Sequence, residues 1–125
     1  MRQIPIGTSD EMTITTTPEM GTAHLGLSSL YSTPAMVGHL EGLCFRMMAP
    51  FLEPNENSVG YRIDIKHLAP TPIGMAVTIK ARVKEVEGRK VVLDVEAYNE
   101  SGAKIGEGIH ERRVIDTSRF VGQAG

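Results

Sequence analysis

TPAMVGHLEGLCFRMMA, residues 33–49, is the stretch on which the fold turns. Met36, Val37, Leu40, Leu43, Cys44, Met47 and Met48 recur at the spacing of one buried helical stripe. Thr33 suits the N-cap and Pro34 the first helical position. Pro50 and Pro54 stop the helix downstream. Gly38 and Gly42 lie four apart beside the stripe, where small residues let another backbone approach.

Beyond residue 58 the apolar period changes from the helical value to two. In SVGYRIDIKHLAP, unbroken alternation puts Val59, Tyr61, Ile63, Ile65 and His67 on one face and Gly60, Arg62, Asp64 and Lys66 on the other. Residues 75–86 alternate again, with Val77, Ile79, Ala81 and Val83 on the apolar side. Glu87-Gly88-Arg89 makes a hairpin turn, residues 90–98 form a third alternating run, and residues 103–115 the last strand. Upstream, the Thr-rich residues 12–17 read as a first strand and residues 18–32 as a loop with room for a short helix. One helix with one apolar stripe, followed by a run of antiparallel strands, packs most economically as an α+β fold. The sheet curves around the central helix. Its open edges call for a second copy.

The chain has 125 residues, 41% hydrophobic and 22% charged, with net charge −2. That length supports a single domain over residues 1–125. The even charge balance argues against nucleic acid as a partner. No apolar run approaches the ~18 residues that span a bilayer, so no membrane partner is expected. One cysteine excludes an internal disulfide, and with no leader-like segment the expected location is the cytoplasm. His24 and His110 have no metal-ligand spacing, so neither a metal nor another cofactor is expected. Cys44, inside the stripe, reads as a small core residue and His39, on the opposite side of the helix, as exposed. Arg112 and Arg113 read with Arg62, Lys80, Arg82 and Lys84 as parts of a solvated sheet face.

Three polar residues stand where the pattern predicts burial. Glu41 flanks the apolar stripe, where partial desolvation strengthens a carboxylate as a base; the alternative is a solvated or ion-paired rim residue. His67 ends the apolar face of its strand, either to exchange a proton or as a hydrogen-bonded core histidine. Thr33 opens the helix, where its hydroxyl either caps the backbone or meets a ligand oxygen beside the free N–H groups.

Taken together, STPAMVGHLEGLCF (32–45), SVGYRIDIKHLAPTPIGMAVTIKARV (58–83) and KIGEGIHERRVI (104–115) resemble the hotdog-fold thioesterases, in particular the fluoroacetyl-CoA thioesterase group. The most specific parts are Thr-Pro-Ala-x-Val, the Glu eight residues after that Thr, and His-Leu-Ala-x-Thr-Pro-x-Gly. The resemblance implies Thr33, Glu41 and His67 as catalytic residues and Gly60 as a substrate contact through its backbone N–H. It implies an acyl-CoA substrate and a homodimer, or a dimer of dimers, with the sites at the interface. Residues 18–31, which line the acyl pocket in that group, contain Tyr31 as their single aromatic, and fluoroacetyl selectivity is not carried over.

The chemistry so implied is hydrolysis of a small or medium acyl-CoA thioester. Backbone N–H groups near Gly60 and the helix start polarise the carbonyl. Glu41 acts as general base or as nucleophile, with Thr33 and His67 in support. Two alternatives stand beside it. One is a hotdog hydratase or dehydratase, which needs a helix His paired with Asp or Asn. The other is a hotdog dimer that binds acyl-CoA without turnover.

Overall fold

The computed structural model describes residues 1–26 and 29–119. The side chain of His24, and residues 27–28 of the loop expected over 18–32, lie outside the described residues. The elements run β1 (Ser9–Thr15), two short 3₁₀ turns, α1 (Thr33–Met48), a third 3₁₀ turn containing Pro50, then β2 (Glu56–His67), β3 (Ala76–Glu87), β4 (Lys90–Asn99) and β5 (Lys104–Asp116). The five strands form one antiparallel sheet in the order β1-β3-β4-β5-β2, so β1 and β2 are its edges.

α1 lies on one face of the sheet and fills it with the stripe the sequence predicts. Met36, Leu40, Leu43, Cys44 and Met48 are buried against Val77, Ile79, Val83, Val91, Leu93 and Val95. Gly106 on β5 lets the helix come close. A Cβ there would sit 2.7 Å from Met36 Sδ. No helix among the described residues is long and apolar enough to cross a membrane.

Three expectations need correcting. The N-cap of α1 is Ser32, whose Oγ accepts from the Ala35 N–H at 3.2 Å; Thr33 and Pro34 are the first two helical residues. The first strand starts and ends earlier than residues 12–17. Most consequential, β2 does not alternate without a break. Its register against β5 slips between Gly60 and Arg62, leaving Tyr61 as the extra residue of a bulge. Ser58 and Gly60 therefore face the helix before the bulge, and Ile63, Ile65 and His67 after it. Val59 and Tyr61 are thrown out to solvent, 41% and 61% exposed. A β-bulge adds one residue and so reverses which side chains point inward.

Candidate active site

The hydroxyl of Thr33 is not spent on the helix terminus, because Ser32 holds the capping position. It shares a 2.7 Å hydrogen bond with Nδ1 of His67, which arrives from the far end of β2. Burial holds the His67 pKa below the ordinary histidine value, so the ring is neutral at pH 7. Its Nε2 is buried and has no hydrogen-bond partner among the described residues. Thr33 and His67 line a crevice of about 320 Å³ with Leu30, Tyr31, Leu68 and Pro70. Tyr31 is buried, and its hydroxyl shares a 2.6 Å hydrogen bond with His39 Nδ1. His39 is thus half-buried and partnered rather than exposed.

Glu41 lies two helical turns further on. Eight residues at ~1.5 Å each separate it from Thr33 by about 12 Å along the axis. It faces a second crevice of about 200 Å³ lined by Gly60, Tyr61, Arg62, Ile63 and His110. Its carboxylate accepts no hydrogen bond among the described residues. The bulge aims Gly60 at it: a Cβ on Gly60 would stand 3.2 Å from Glu41 Oε2, 3.5 Å from His110 Cε1 and 3.8 Å from Arg112 Nη1. Glycine thus leaves a methyl-sized space between a carboxylate, an imidazole and a guanidinium.

The two groups of residues occupy separate crevices of one chain. Thr33 and His67 are together, Glu41 and Gly60 are together, and neither crevice has lining residues in common with the other. Two wider depressions of about 550 Å³ each lie on the sheet face away from α1. Charged side chains such as Asp94, Glu96, Lys80 and Lys104 line them, and Thr33, Glu41, Gly60 and His67 do not.

Behind the Glu41 crevice stands a polar cluster that the sequence reading missed. Arg112, read as part of a solvated face, is 5% exposed and His110 is 1% exposed. Arg112 donates from Nε to Ser58 Oγ at 3.0 Å and from Nη2 to the Ser58 carbonyl at 2.8 Å. Its guanidinium lies over the Phe45 ring, 5.6 Å from the centroid. Burial works against the Arg112 charge, and the nearby Glu41 carboxylate offsets part of that cost. Cys44 beside them is an inert thiol, pushed up to about 12 by burial. The missed signal was register. The turn after Asn99, with a one-residue slip at Ala97/Tyr98, sets Leu93 opposite His110 and Val91 opposite Arg112, so both share the apolar phase of β4.

One long helix on a five-stranded antiparallel sheet is the architecture of the hotdog proteins. One relative of that description, a hot-dog-like protein from Thermanaerovibrio acidaminovorans, matches with a TM-score of 0.88 at 28% identity over 96% of this chain and 90% of that one. The chain belongs to the fluoroacetyl-CoA-specific thioesterase family, whose model matches residues 9–118. It is 44% identical over 91 residues to the fluoroacetyl-CoA thioesterase of Streptantibioticus cattleyicolor. That match spans 73% of this chain and 65%, just under two thirds, of the relative. The solved fluoroacetyl-CoA thioesterase FlK matches with a TM-score of 0.90 at 34% identity, over 98% of this chain and 96% of that one. A thioesterase-superfamily protein of Thermus thermophilus gives a TM-score of 0.92 at 35% identity over 99% and 93%. The family read from the sequence motifs is therefore borne out.

Proposed function

We propose that this protein hydrolyses a small acyl-CoA thioester at a site that two chains build together, Thr33 and His67 from one and Glu41 and Gly60 from the other. The observation that carries this reading is the division of the polar residues. A hydroxyl–imidazole pair joined at 2.7 Å and an unpaired carboxylate stand in two crevices about 12 Å apart along one helix. An active site needs them within reach of one substrate. A two-fold axis beside edge strand β2 runs the two copies of α1 antiparallel, so the start of one helix faces the middle of the other. The surface that such a dimer covers is apolar and open: Phe45, Val59, Tyr61 and Leu68 are all exposed at or near the β2 edge. A Cβ added at Gly38 or Gly42 on α1 would meet nothing within 4 Å, leaving ground for close approach.

In this mechanism the N–H of Gly60, together with the N-terminus of a helix, polarises the thioester carbonyl. The Glu41 carboxylate takes a proton from water as that water attacks the carbonyl carbon, or attacks the carbon itself to give an anhydride that water hydrolyses after the thiolate has left. The tetrahedral intermediate collapses with loss of the CoA thiolate, a leaving group stable enough to depart with little help from an acid. Thr33 and His67, joined by their 2.7 Å hydrogen bond, orient the reacting groups. Arg112 supplies positive charge close to the developing negative charge. The lone, buried Cys44 is compatible with a cytoplasmic location.

The test is a panel of acyl-CoAs assayed with a thiol-detecting reagent, with Glu41→Gln as control. The expected result is thiol release from a short acyl-CoA and a fall in kcat of roughly 100-fold or more in the variant. Equal turnover by wild type and Glu41→Gln would remove Glu41 from the chemistry. Tight binding of CoA esters without any release would replace the enzyme with a binding protein.

A further inference from the structure

His110 is a buried histidine with a fixed proton. Its Nδ1 is 2.8 Å from the Arg62 carbonyl oxygen, which can only accept, so Nδ1 carries hydrogen. Its Nε2 is 3.1 Å from Arg112 Nη1, which can only donate, so Nε2 carries a lone pair. Both bonds are made together only by the neutral ring with hydrogen on Nδ1. The partners are not incidental. Arg62 closes the bulge that turns Gly60 toward Glu41, and Arg112 is the cation behind that same space.

We propose that His110 is a positioning residue for the thioesterase reaction, the link that fixes the Gly60 bulge and the Arg112 guanidinium relative to each other and hence to Glu41. The inference rests on the proposed function for its kinetic part, though not for its structural part. Arg62 is the residue at which the ladder resumes after the bulge, and a side-chain donor holds its carbonyl in one orientation. A guanidinium tied at three points, on Ser58 Oγ, the Ser58 carbonyl and His110, cannot swing toward Glu41 and close the space with a direct ion pair. The groups facing His110 are Arg112 on β5, Glu41 on α1 and the Arg62 carbonyl on β2. Burial comes first, and with the cation at Nε2 it opposes a second proton, while Glu41 and the Arg62 carbonyl favour one.

Two replacements divide the link. Asn can keep the donor toward the Arg62 carbonyl and loses the reach to Arg112; Gln can reach Arg112 and loses the first bond. For both His110→Asn and His110→Gln the expected result is a folded protein with kcat lowered about ten-fold or more and KM within about three-fold. Urea melts of the same samples establish folding. kcat within about three-fold of wild type in either folded variant would overturn the proposal, since a merely structural histidine shows up in stability alone. The second readout needs no substrate and no variant. Nitrogen-15 NMR of the wild-type imidazole at pH 7 is expected to show Nδ1 protonated and Nε2 bare. A ring protonated on Nε2 would overturn the link directly. Should wild type hydrolyse no thioester, the NMR result still decides the tautomer and the failure belongs to the function.

Discussion

Gly60→Ala tests the Glu41 crevice with a single methyl group. Gly60 is not among the glycines with positive φ, so alanine meets no backbone strain. What it meets is the site. The new Cβ would stand 3.2 Å from Glu41 Oε2, closer than carbon and oxygen normally pack, and 3.5 and 3.8 Å from His110 and Arg112. His110 and Arg112 are held by hydrogen bonds to Arg62, Ser58 and each other, whereas the Glu41 carboxylate is the free end of a flexible side chain. The carboxylate therefore gives way by a few tenths of an ångström, and the space between the three groups disappears. Removing a glycine at a compatible backbone angle stabilises by about 0.4–1 kcal/mol through the unfolded chain. Mild overpacking against a movable group costs about the same, toward the lower end of the ~1–3 kcal/mol range. Stability should thus stay within about 1 kcal/mol. A misplacement of ~1 Å at a catalytic group costs about 100-fold, so a partial shift with loss of the space should lower kcat/KM by roughly 10- to 100-fold. Urea denaturation and thiol release from the best acyl-CoA measure the two quantities. Full activity in a stable Gly60→Ala protein would show that the chemistry takes place elsewhere.

Other expectations follow from the same geometry. Ser32→Ala removes the cap of α1 and should cost about 1 kcal/mol in a denaturant melt. Thr33→Val keeps the shape and removes the hydroxyl bonded to His67, so it should lower kcat by about ten-fold or more while Thr33→Ser retains activity. Swapped outcomes, a stability loss for Thr33→Val alone, would make Thr33 the cap after all. Tyr31→Phe should leave His39 Nδ1 unpaired at a cost of about 1 kcal/mol, read in the same melts, and an unchanged midpoint would contradict it. Burial holds His39, His67 and His110 below their ordinary pKa. The unfolded chain then binds more protons than the folded one just below the unfolded value near 6.5. Stability is full above that value and falls as pH drops toward 5, before the carboxylates protonate; a melting temperature that rises over this interval would contradict the burial of these rings.

The central helix was legible in the sequence because its stripe is long and its stop is two prolines. β3 and β4 were equally legible, since their alternation puts Val77, Ile79, Val91 and Leu93 in the core. Two features were not. Ser32 and Thr33 both bear hydroxyls immediately before Pro34, and proline is tolerated at either of the first helical positions. Composition therefore does not tell which of the two caps. A bulge leaves no mark on period-two counting, which assumes an unbroken strand, and so Gly60 was assigned to the wrong face. Thr33, Glu41 and His67 could each be singled out as polar residues at apolar positions. Arg112 could not, because a charged residue on a strand is solvated far more often than buried. Only the cross-strand register to Val91 reveals it.

The measurement that bears most directly on the two-chain site is complementation. Thr33→Val and Glu41→Gln chains, co-expressed with different affinity tags, give a purified heterodimer. One of its two sites then combines an intact Thr33 and His67 with an intact Glu41, and the other carries both substitutions. The expected turnover is about half that of wild type, far above either parent homodimer. A heterodimer no more active than its parents would show that each chain works with its own residues alone.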